Sequence, residues 1–172
     1  MSTKRELVLG AGNQRLPKLK TVDSMGQYES PLFLDIDENC NPDILWDLND
    51  LPLPFDDNEF DEIHAYEVLE HIGRQGDWKG FFAEWQEYHR ILKPGGKLMA
   101  SVPSINSPWL WGDPGHTRAI SVETLTFLDQ SAYEEQVGKG AMTDYRHWYQ
   151  GDFRLLYQSD DESQFFFVME KH

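Results

Sequence analysis

Short apolar runs alternate with glycine- or proline-rich breaks along most of this 172-residue chain. Apolar runs of four to eight residues that are bounded by turn residues predict buried strands. Five such strands are predicted: Glu6 to Leu9, Pro31 to Ile36, Asp43 to Leu48, Phe60 to Tyr66 and Lys97 to Val102. The pattern therefore predicts a sheet whose strands are joined by crossovers.

The clearest helical period runs from Asp77 to Leu92, where apolar residues recur on one face behind a good N-cap. A shorter helix is predicted over Val122 to Leu128. Phe153 to Tyr157 and Phe165 to Met169 predict a terminal hairpin. Strands that alternate with crossovers predict an α/β, Rossmann-like, mostly parallel sheet in three layers, with a C-terminal antiparallel hairpin.

The charge is distributed unevenly. The stretch from Thr21 to Gly73 holds fifteen Asp and Glu and no Lys or Arg, and it accounts for the whole formal net charge of −15. An acidic field attracts a cationic cofactor and repels a pyrophosphate. The charge favours S-adenosylmethionine over NAD, FAD or ATP. The sequence also lacks the G-x-x-x-x-G-K-[ST] loop, which argues against a nucleotide-dependent oxidoreductase or kinase.

Composition limits the class of protein further. The net charge argues against nucleic acid as a partner, because backbone binding needs clustered Lys and Arg. No apolar run approaches the roughly 18 residues of a membrane span, and the N-terminal residues do not form a signal peptide. The single cysteine, Cys40, cannot form an internal disulfide. We expect one domain, residues 1–172, in the cytoplasm, with no membrane partner; a homodimer stays open.

Two features at strand ends are candidates for ligand binding. The turn that contains Gly10 and Gly12 follows the first strand, and glycines there let the backbone approach a ligand closely. Asp35 and Asp37 close the second strand, and either carboxylate can accept two ribose hydroxyls. His64, inside the fourth strand, is predicted to be a satisfied core residue.

Four segments in this order resemble the class I S-adenosylmethionine-dependent methyltransferases, and the type 11 group in particular. They are LVLGAG (residues 7–12), FLDID (33–37), DILWDLNDLPLPFDDNEFDEIHAYEVLEHI (43–72) and LKPGGKLMASVP (92–103). The resemblance covers roughly residues 6–120 and is closest to compact members linked with cell-surface sugar pathways. It departs from the family at Gln14 and Arg15, where the third glycine of the turn is absent, and at Pro17, which interrupts the first crossover.

The resemblance implies a set of cofactor-binding residues. Gly10 and Gly12 would pack on the methionine part of the cofactor, and Asp35, rather than Asp37, would bind ribose. The remaining implied contacts are those to adenine by Asp47 and Leu48, and those flanking the methionine end by Tyr66 and Glu67.

A metal site is an open alternative. In a helical turn Glu67, Glu70 and His71 would share a face, and two carboxylates with an imidazole can ligate a divalent cation. Metal-dependent relatives are similar at this sequence, and His116 is a further candidate ligand. Because the same letters occur in members that need no metal, we predict none.

The segment from Trp109 to Ile120 resembles the family's loop over the active site. Trp109 and Trp111 are predicted to form a wall for the acceptor or a lid against water. His116 is the candidate general base, because an imidazole titrates near neutrality. Arg118 is predicted to hold an anionic acceptor.

The predicted function is methyl transfer from S-adenosylmethionine to a small-molecule or saccharide-like acceptor. The alternative is a non-catalytic module that keeps the fold and binds the cofactor, or serves in assembly, without transferring the methyl group.

Overall fold

The computed structural model describes residues 4–13 and 31–172, which form a seven-stranded sheet flanked by helices. The strands are β1 (Glu6–Leu9), β2 (Leu32–Asp35), β3 (Ile44–Leu45), β4 (Phe60–Tyr66), β5 (Leu92–Pro103), β6 (Phe153–Asp160) and β7 (Gln164–Lys171). The helices are α1 (Trp78–Ile91), α2 (Trp109–Gly112), α3 (Val122–Thr126) and α4 (Gln130–Gln136), with 3₁₀ turns at Glu38–Cys40 and Leu69–His71. None of the described helices is long and apolar enough to cross a membrane.

The strand order is β3-β2-β1-β4-β5-β7-β6. Strands β1 to β5 pair in parallel, and β7 runs antiparallel to both β5 and β6. This topology confirms the predicted Rossmann-like, mostly parallel sheet with an antiparallel C-terminal hairpin. The carboxyl ends of β1, β2 and β4 consequently lie side by side, where ligands of open α/β sheets bind.

The two faces of the sheet differ in chemistry because successive side chains of a strand point to opposite faces. One face of β1 and β4 joins the main hydrophobic core with α1 through Leu7, Leu9, Ile63 and Ala65. The alternate positions place Glu6, Glu62 and His64 on the opposite face, and Glu6 lies opposite Glu62 in the β1–β4 register. All three side chains are buried there.

Helix α1 begins as predicted. Asp77 is its N-cap, and the carboxylate accepts a hydrogen bond from the Gly80 backbone N–H at 3.0 Å. The buried apolar residues are Phe82, Trp85, Tyr88 and Ile91. The pattern did not predict that Glu84 and Glu87 on this helix would also be buried.

The predicted extent of the third strand is wrong. Only Ile44–Leu45 pairs with β2, rather than all of Asp43 to Leu48. The Asp47 carboxylate accepts a hydrogen bond from the Asn49 backbone N–H at 2.8 Å, and this local bond turns the chain.

Other boundaries differ less. Strand β5 begins at Leu92, which pairs with Phe60, and the register with β4 shifts after this pair. The glycine-containing segment after α1 therefore forms the irregular first part of β5. Helices α2 and α4 were not predicted; α4 follows Asp129, whose carboxylate accepts the Ser131 backbone N–H at 2.8 Å. The hairpin strands are longer than predicted.

Part of the predicted three-layer arrangement depends on the first crossover. That crossover, which contains Gln14, Arg15 and Pro17, lies outside the described residues. The assignment of residues 1–172 to a single domain stays a prediction.

Candidate cofactor and acceptor site

The turn after β1 has the backbone geometry that glycine permits. Gly10 has φ +57°, and a Cβ atom added there would clash with the Val68 side chain. Gly12 has φ +53°, but a Cβ atom there would meet no described residue within 4 Å. Gly10 therefore packs against the segment after β4, whereas no described side chain covers Gly12.

Asp35 fastens this turn to the end of β2. Its Oδ2 accepts a hydrogen bond from the Gly12 backbone N–H at 2.8 Å, and its Oδ1 accepts one from the Asp37 N–H at 2.9 Å. The residue is 8% exposed. Each carboxylate oxygen can accept a second hydrogen bond, so Asp35 retains the capacity to bind a ligand.

Asp37 has a different role from Asp35. It is exposed, and its carboxylate accepts hydrogen bonds from the backbone N–H and side-chain amide of Asn39, at 2.9 and 2.7 Å. The backbone bond from Asn39 is the main reason that the pKa of Asp37 is lowered. Asp37 thus caps the Glu38–Cys40 turn.

A cavity of about 310 Å³ opens at the ends of β1 and β2. It is lined by Gly10, Leu34, Asp35, Ile36, Trp46, Asp47, Leu48, Asn49, Val68, His71 and Ile72. Among the residues that the structure describes, the lining includes two acids and no Lys or Arg. Four of the predicted cofactor residues, Gly10, Asp35, Asp47 and Leu48, line this cofactor cavity.

The cavity wall also contains residues that the sequence analysis did not single out. Ile36 directly follows Asp35 and is 65% exposed, which is unusual for a large apolar residue beside a buried strand. Asn49 donates to Asp47 and accepts a hydrogen bond from the Gly73 backbone N–H at 2.9 Å. The position of Ile36, an apolar residue directly after the acid that ends β2, was the sequence signal that could have identified it.

Tyr66 and Glu67 do not line the cofactor cavity. The Tyr66 hydroxyl is 2.9 Å from Nδ1 of His64. Glu67 has φ +55°, a strained conformation for a residue other than glycine. Its backbone N–H donates to the Ser101 carbonyl at 2.8 Å, and its Oε1 accepts from the Ser101 hydroxyl at 2.7 Å. These bonds hold the ends of β4 and β5 together beside the cavity.

A cluster of Glu70, His71 and His116 follows β4, and ligand-type atoms of the three lie within 4.8 Å of one another. Glu70 is 1% exposed, and no described group hydrogen-bonds to either of its carboxylate oxygens. Burial is the main cause that raises the pKa of Glu70, to about 8. Glu67 is not part of this cluster, so the predicted set of four candidate metal ligands becomes three.

The two histidines of the cluster are oriented by backbone carbonyls. Nδ1 of His71 lies 3.0 Å from the Gly115 carbonyl, and Nδ1 of His116 lies 3.2 Å from the Leu110 carbonyl. Their Nδ1–H groups donate in these contacts, which leaves Nε2 of each ring as an acceptor. Nε2 of His116 is 3.9 Å from Oε1 of Glu70, and only 8% of the His116 side chain is exposed. His71 is exposed and lines the cofactor cavity.

Arg118 is buried and engaged within the protein. Its guanidinium forms two bonds to the Glu84 carboxylate, at 2.7 and 2.8 Å, and donates to the Leu69 carbonyl at 3.0 Å. The paired guanidinium is thus committed to linking α1 with the segment after β4. Trp109 and Trp111, on α2, are 68% and 64% exposed.

A second cavity of about 300 Å³ lies at the N-terminal end of α1. Its aromatic wall consists of Trp78, Phe81, Phe82, Phe127 and Tyr145. Arg74, Arg118 and Glu123 supply charged groups. The segment between β4 and α1 contributes to both cavities, since Val68, His71 and Ile72 line the first and Arg74 to Trp78 lines the second.

Residues 31–100 match a family model described as a methyltransferase domain. This segment is similar to a methyltransferase domain. The matched range contains Asp35, Asp47, Glu67 and His71. The match agrees with the predicted family, with an enzyme of the methyltransferase class and with S-adenosylmethionine as its cofactor.

Several solved structures have a similar fold. A SAM-dependent methyltransferase from Archaeoglobus fulgidus aligns with TM-score 0.60 and 15% identity, over 98% of this chain and 86% of that one. The N-methyltransferase NodS from Bradyrhizobium japonicum, in complex with S-adenosylhomocysteine, aligns with TM-score 0.59 and 14% identity, over 99% and 79%. At these identities the likeness shows the fold.

A third similar structure is a complex between the Haloferax volcanii Trm112 methyltransferase activator and a methyltransferase, with TM-score 0.59 and 16% identity over 97% and 82% of the chains. No curated protein matches the chain in sequence. The roles of individual site residues, and a homodimer, stay predictions.

Proposed function

We propose that this methyltransferase domain binds S-adenosylmethionine in the cofactor cavity and transfers the methyl group to a small-molecule or saccharide-like acceptor. One observation carries the proposal: a cavity at the carboxyl ends of β1 and β2 whose described lining residues include Asp35 and Asp47 and no Lys or Arg. Such a lining suits a nucleoside that carries a sulfonium and an ammonium group.

The lining residues suit the parts of this cofactor. Asp35 can accept both ribose hydroxyls with the lone pairs that its two backbone bonds leave. The exposed side chain of Ile36 and the buried Leu48 offer apolar surfaces for the adenine ring. When bound, the cofactor supplies an activated methyl group with a good leaving group.

The aromatic cavity at the start of α1 is the proposed acceptor site. Its volume of about 300 Å³ is at the small end of ligand pockets, which fits a single sugar ring or a small metabolite. The wall offers apolar faces, and Arg74 and Glu123 lie among its lining residues. Arg118 supports this wall through its pair with Glu84. The contact with an anionic acceptor that the sequence predicted for Arg118 is therefore proposed for Arg74.

His71 is better placed than His116 to accept the proton of an oxygen acceptor. His71 is exposed and lines the cofactor cavity, and its Nδ1–H is held by the Gly115 carbonyl, so Nε2 can act as the base. His116 is largely enclosed, and its Nε2 lies near Glu70. His116 is therefore proposed to orient the cluster.

A divalent cation is the alternative occupant of this cluster. One carboxylate and two imidazoles are a common ligand set, and the Glu70 carboxylate has no described hydrogen-bond partner. The prediction that the site needs no metal has not been tested. Dialysis against a chelator, with metal analysis of Glu70→Gln, decides the matter: a cation that restores lost activity and is absent from Glu70→Gln belongs to this cluster, and unchanged activity leaves the histidine as base.

Two measurements on Asp35→Asn test cofactor use. Calorimetry with S-adenosylhomocysteine should show binding to the native chain, weakened by about 10- to 100-fold in the variant, because a hydrogen bond to a charged group contributes about 1.5–3 kcal/mol. Asp37→Asn removes a charge two residues away that is already used in capping, so it should bind as the native chain does.

Methyl transfer is tested with radiolabelled S-adenosylmethionine and a size-fractionated cell extract. Label that enters the small-molecule or saccharide fraction, and is lost in Asp35→Asn, supports the proposal. Label that enters only the protein or RNA fraction would contradict the proposed acceptor class. Tight binding without any labelled product would favour the non-catalytic module.

A further inference from the structure

A second cluster of two carboxylates and a histidine lies inside the sheet, apart from the cofactor cavity. Glu6, Glu62 and His64 bring three ligand-type atoms within 4.8 Å of one another. Their side chains are 0%, 5% and 0% exposed. All three belong to the central strands β1 and β4, so the backbone holds them rigidly on one face.

The distances within this cluster are longer than those of typical hydrogen bonds. Nε2 of His64 lies 3.4 Å from Oε1 of Glu6 and 3.4 Å from Oε2 of Glu62. An N–H···O hydrogen bond usually spans about 2.7–3.2 Å. Both carboxylate oxygens of Glu6 and Nε2 of His64 have no described hydrogen-bond partner.

The same distances fit the ligand shell of a tetrahedral metal. Zinc binds imidazole nitrogen and carboxylate oxygen at about 2.0–2.2 Å, and two ligands at such distances on a tetrahedron are about 3.4 Å apart. The observed N···O separations have this value on both sides of His64.

The second nitrogen of His64 has the partner that a metal-bound histidine needs. Nδ1 lies 2.9 Å from the Tyr66 hydroxyl, which fixes the ring and directs Nε2 toward the two carboxylates.

We propose that Glu6, Glu62 and His64 bind a structural zinc ion that joins β1 to β4 inside the sheet. A divalent cation offsets the charge of the Glu6 carboxylate, which is buried and has no described hydrogen-bond partner at either oxygen. The ligands come from adjacent strands, and β1 ends at the glycine turn of the cofactor cavity. The ion therefore fixes the strand that carries this turn and takes no part in the chemistry of the cavity.

The test is elemental analysis of the purified full-length chain after dialysis, together with Glu6→Gln and Glu70→Gln. We expect one equivalent of zinc in the native chain and in Glu70→Gln, and its loss in Glu6→Gln. A folded native chain without metal would overturn the proposal. The same holds if zinc persists in Glu6→Gln or disappears in Glu70→Gln, because the ion would then belong elsewhere.

X-ray absorption at the zinc edge of the native chain keeps the proposal testable if Glu6→Gln does not fold. The proposed site requires only nitrogen and oxygen ligands at about 2.0–2.2 Å, with imidazole scattering. A sulfur ligand would implicate Cys40 and contradict the assignment. Binding of S-adenosylhomocysteine to the same sample reports separately on the cofactor cavity.

Discussion

Two clusters of the same residue types lie near β4, and their surroundings differ. Glu6, Glu62 and His64 are sealed inside the sheet, whereas Glu70, His71 and His116 follow the end of the strand. In the second cluster His71 is exposed and lines the cofactor cavity. The two clusters thus contain the same residue types, and their different access to ligands determines what each can do.

The comparison separates stability from turnover. A cluster inside the sheet can contribute only to the stability of the folded state, because no acceptor molecule can reach it. A cluster at the cavity can act on an acceptor, and it also carries the cost of a buried carboxylate, seen in the raised pKa of Glu70. Substitutions in the two clusters should therefore change different measurements.

The largest expected effect is on catalysis. His71→Asn should lower methyl transfer to an oxygen acceptor by about 10²–10⁴-fold, because general base catalysis contributes that much. Binding of S-adenosylhomocysteine should change little. His89→Asn, a change on α1 where His89 contacts the His172 carbonyl, is the matched control and should retain activity. Equal activity in the two variants would remove His71 from the mechanism.

The sealed cluster should govern stability. Glu6→Gln should lower the free energy of unfolding of the zinc-loaded chain by about 3–5 kcal/mol, the usual loss when one partner of a buried charged set is removed. Urea unfolding measures it, with Glu135→Gln, a change of an exposed acid on α4, as the control. If the Glu6→Gln chain were as stable as the native one, the Glu6 carboxylate would not bind a stabilising ion.

The pH dependence of stability should identify Glu70. Its pKa is raised from 4.5 to about 8, so the folded state holds a proton that the unfolded state releases. The contribution of Glu70 to the free energy of unfolding is therefore fully present below about pH 4.5, and it decreases as the pH rises toward 8. Glu70→Gln should remove this fall, which unfolding curves at pH 5 and pH 8 would reveal.

Glu123→Gln, which changes an exposed acid on α3, should retain the fall. If Glu70→Gln instead destabilised the chain at pH 8, the cluster would be holding a cation there, and the metal alternative would gain support.

The smallest effect is expected at the exposed tryptophans. Trp109→Ala should change the free energy of unfolding by less than about 0.5 kcal/mol, because its side chain is 68% exposed. If α2 covers the acceptor, KM for the acceptor should rise while binding of S-adenosylhomocysteine stays unchanged. An unaltered KM would remove Trp109 from the acceptor site.

The sequence was sufficient for the sheet and for much of the cofactor cavity because both follow from local patterns. Strand β1, its glycine turn and Asp35 are contiguous or nearly so, and each has a recognisable composition. The extent of β3 was not predictable, because the Asp47 carboxylate bonds to the backbone and turns the chain.

Long-range pairs were beyond the sequence. Arg118 is of a residue type that often binds anionic substrates. Its guanidinium instead pairs with the carboxylate of Glu84, which is 34 residues away in the sequence. His64 was expected to be a satisfied core residue; it is buried, but its Nε2 faces two carboxylates from different strands. No spacing along the chain signals either arrangement, because parallel strands bring distant residues together.

A crystal structure of the chain with S-adenosylhomocysteine would show whether the cofactor binds at the ends of β1 and β2. We expect the nucleoside in the cavity there, with both ribose hydroxyls on the Asp35 carboxylate and the adenine ring against Ile36 and Leu48. A cavity filled by the chain's own side chains, or a ligand bound away from Asp35, would contradict it.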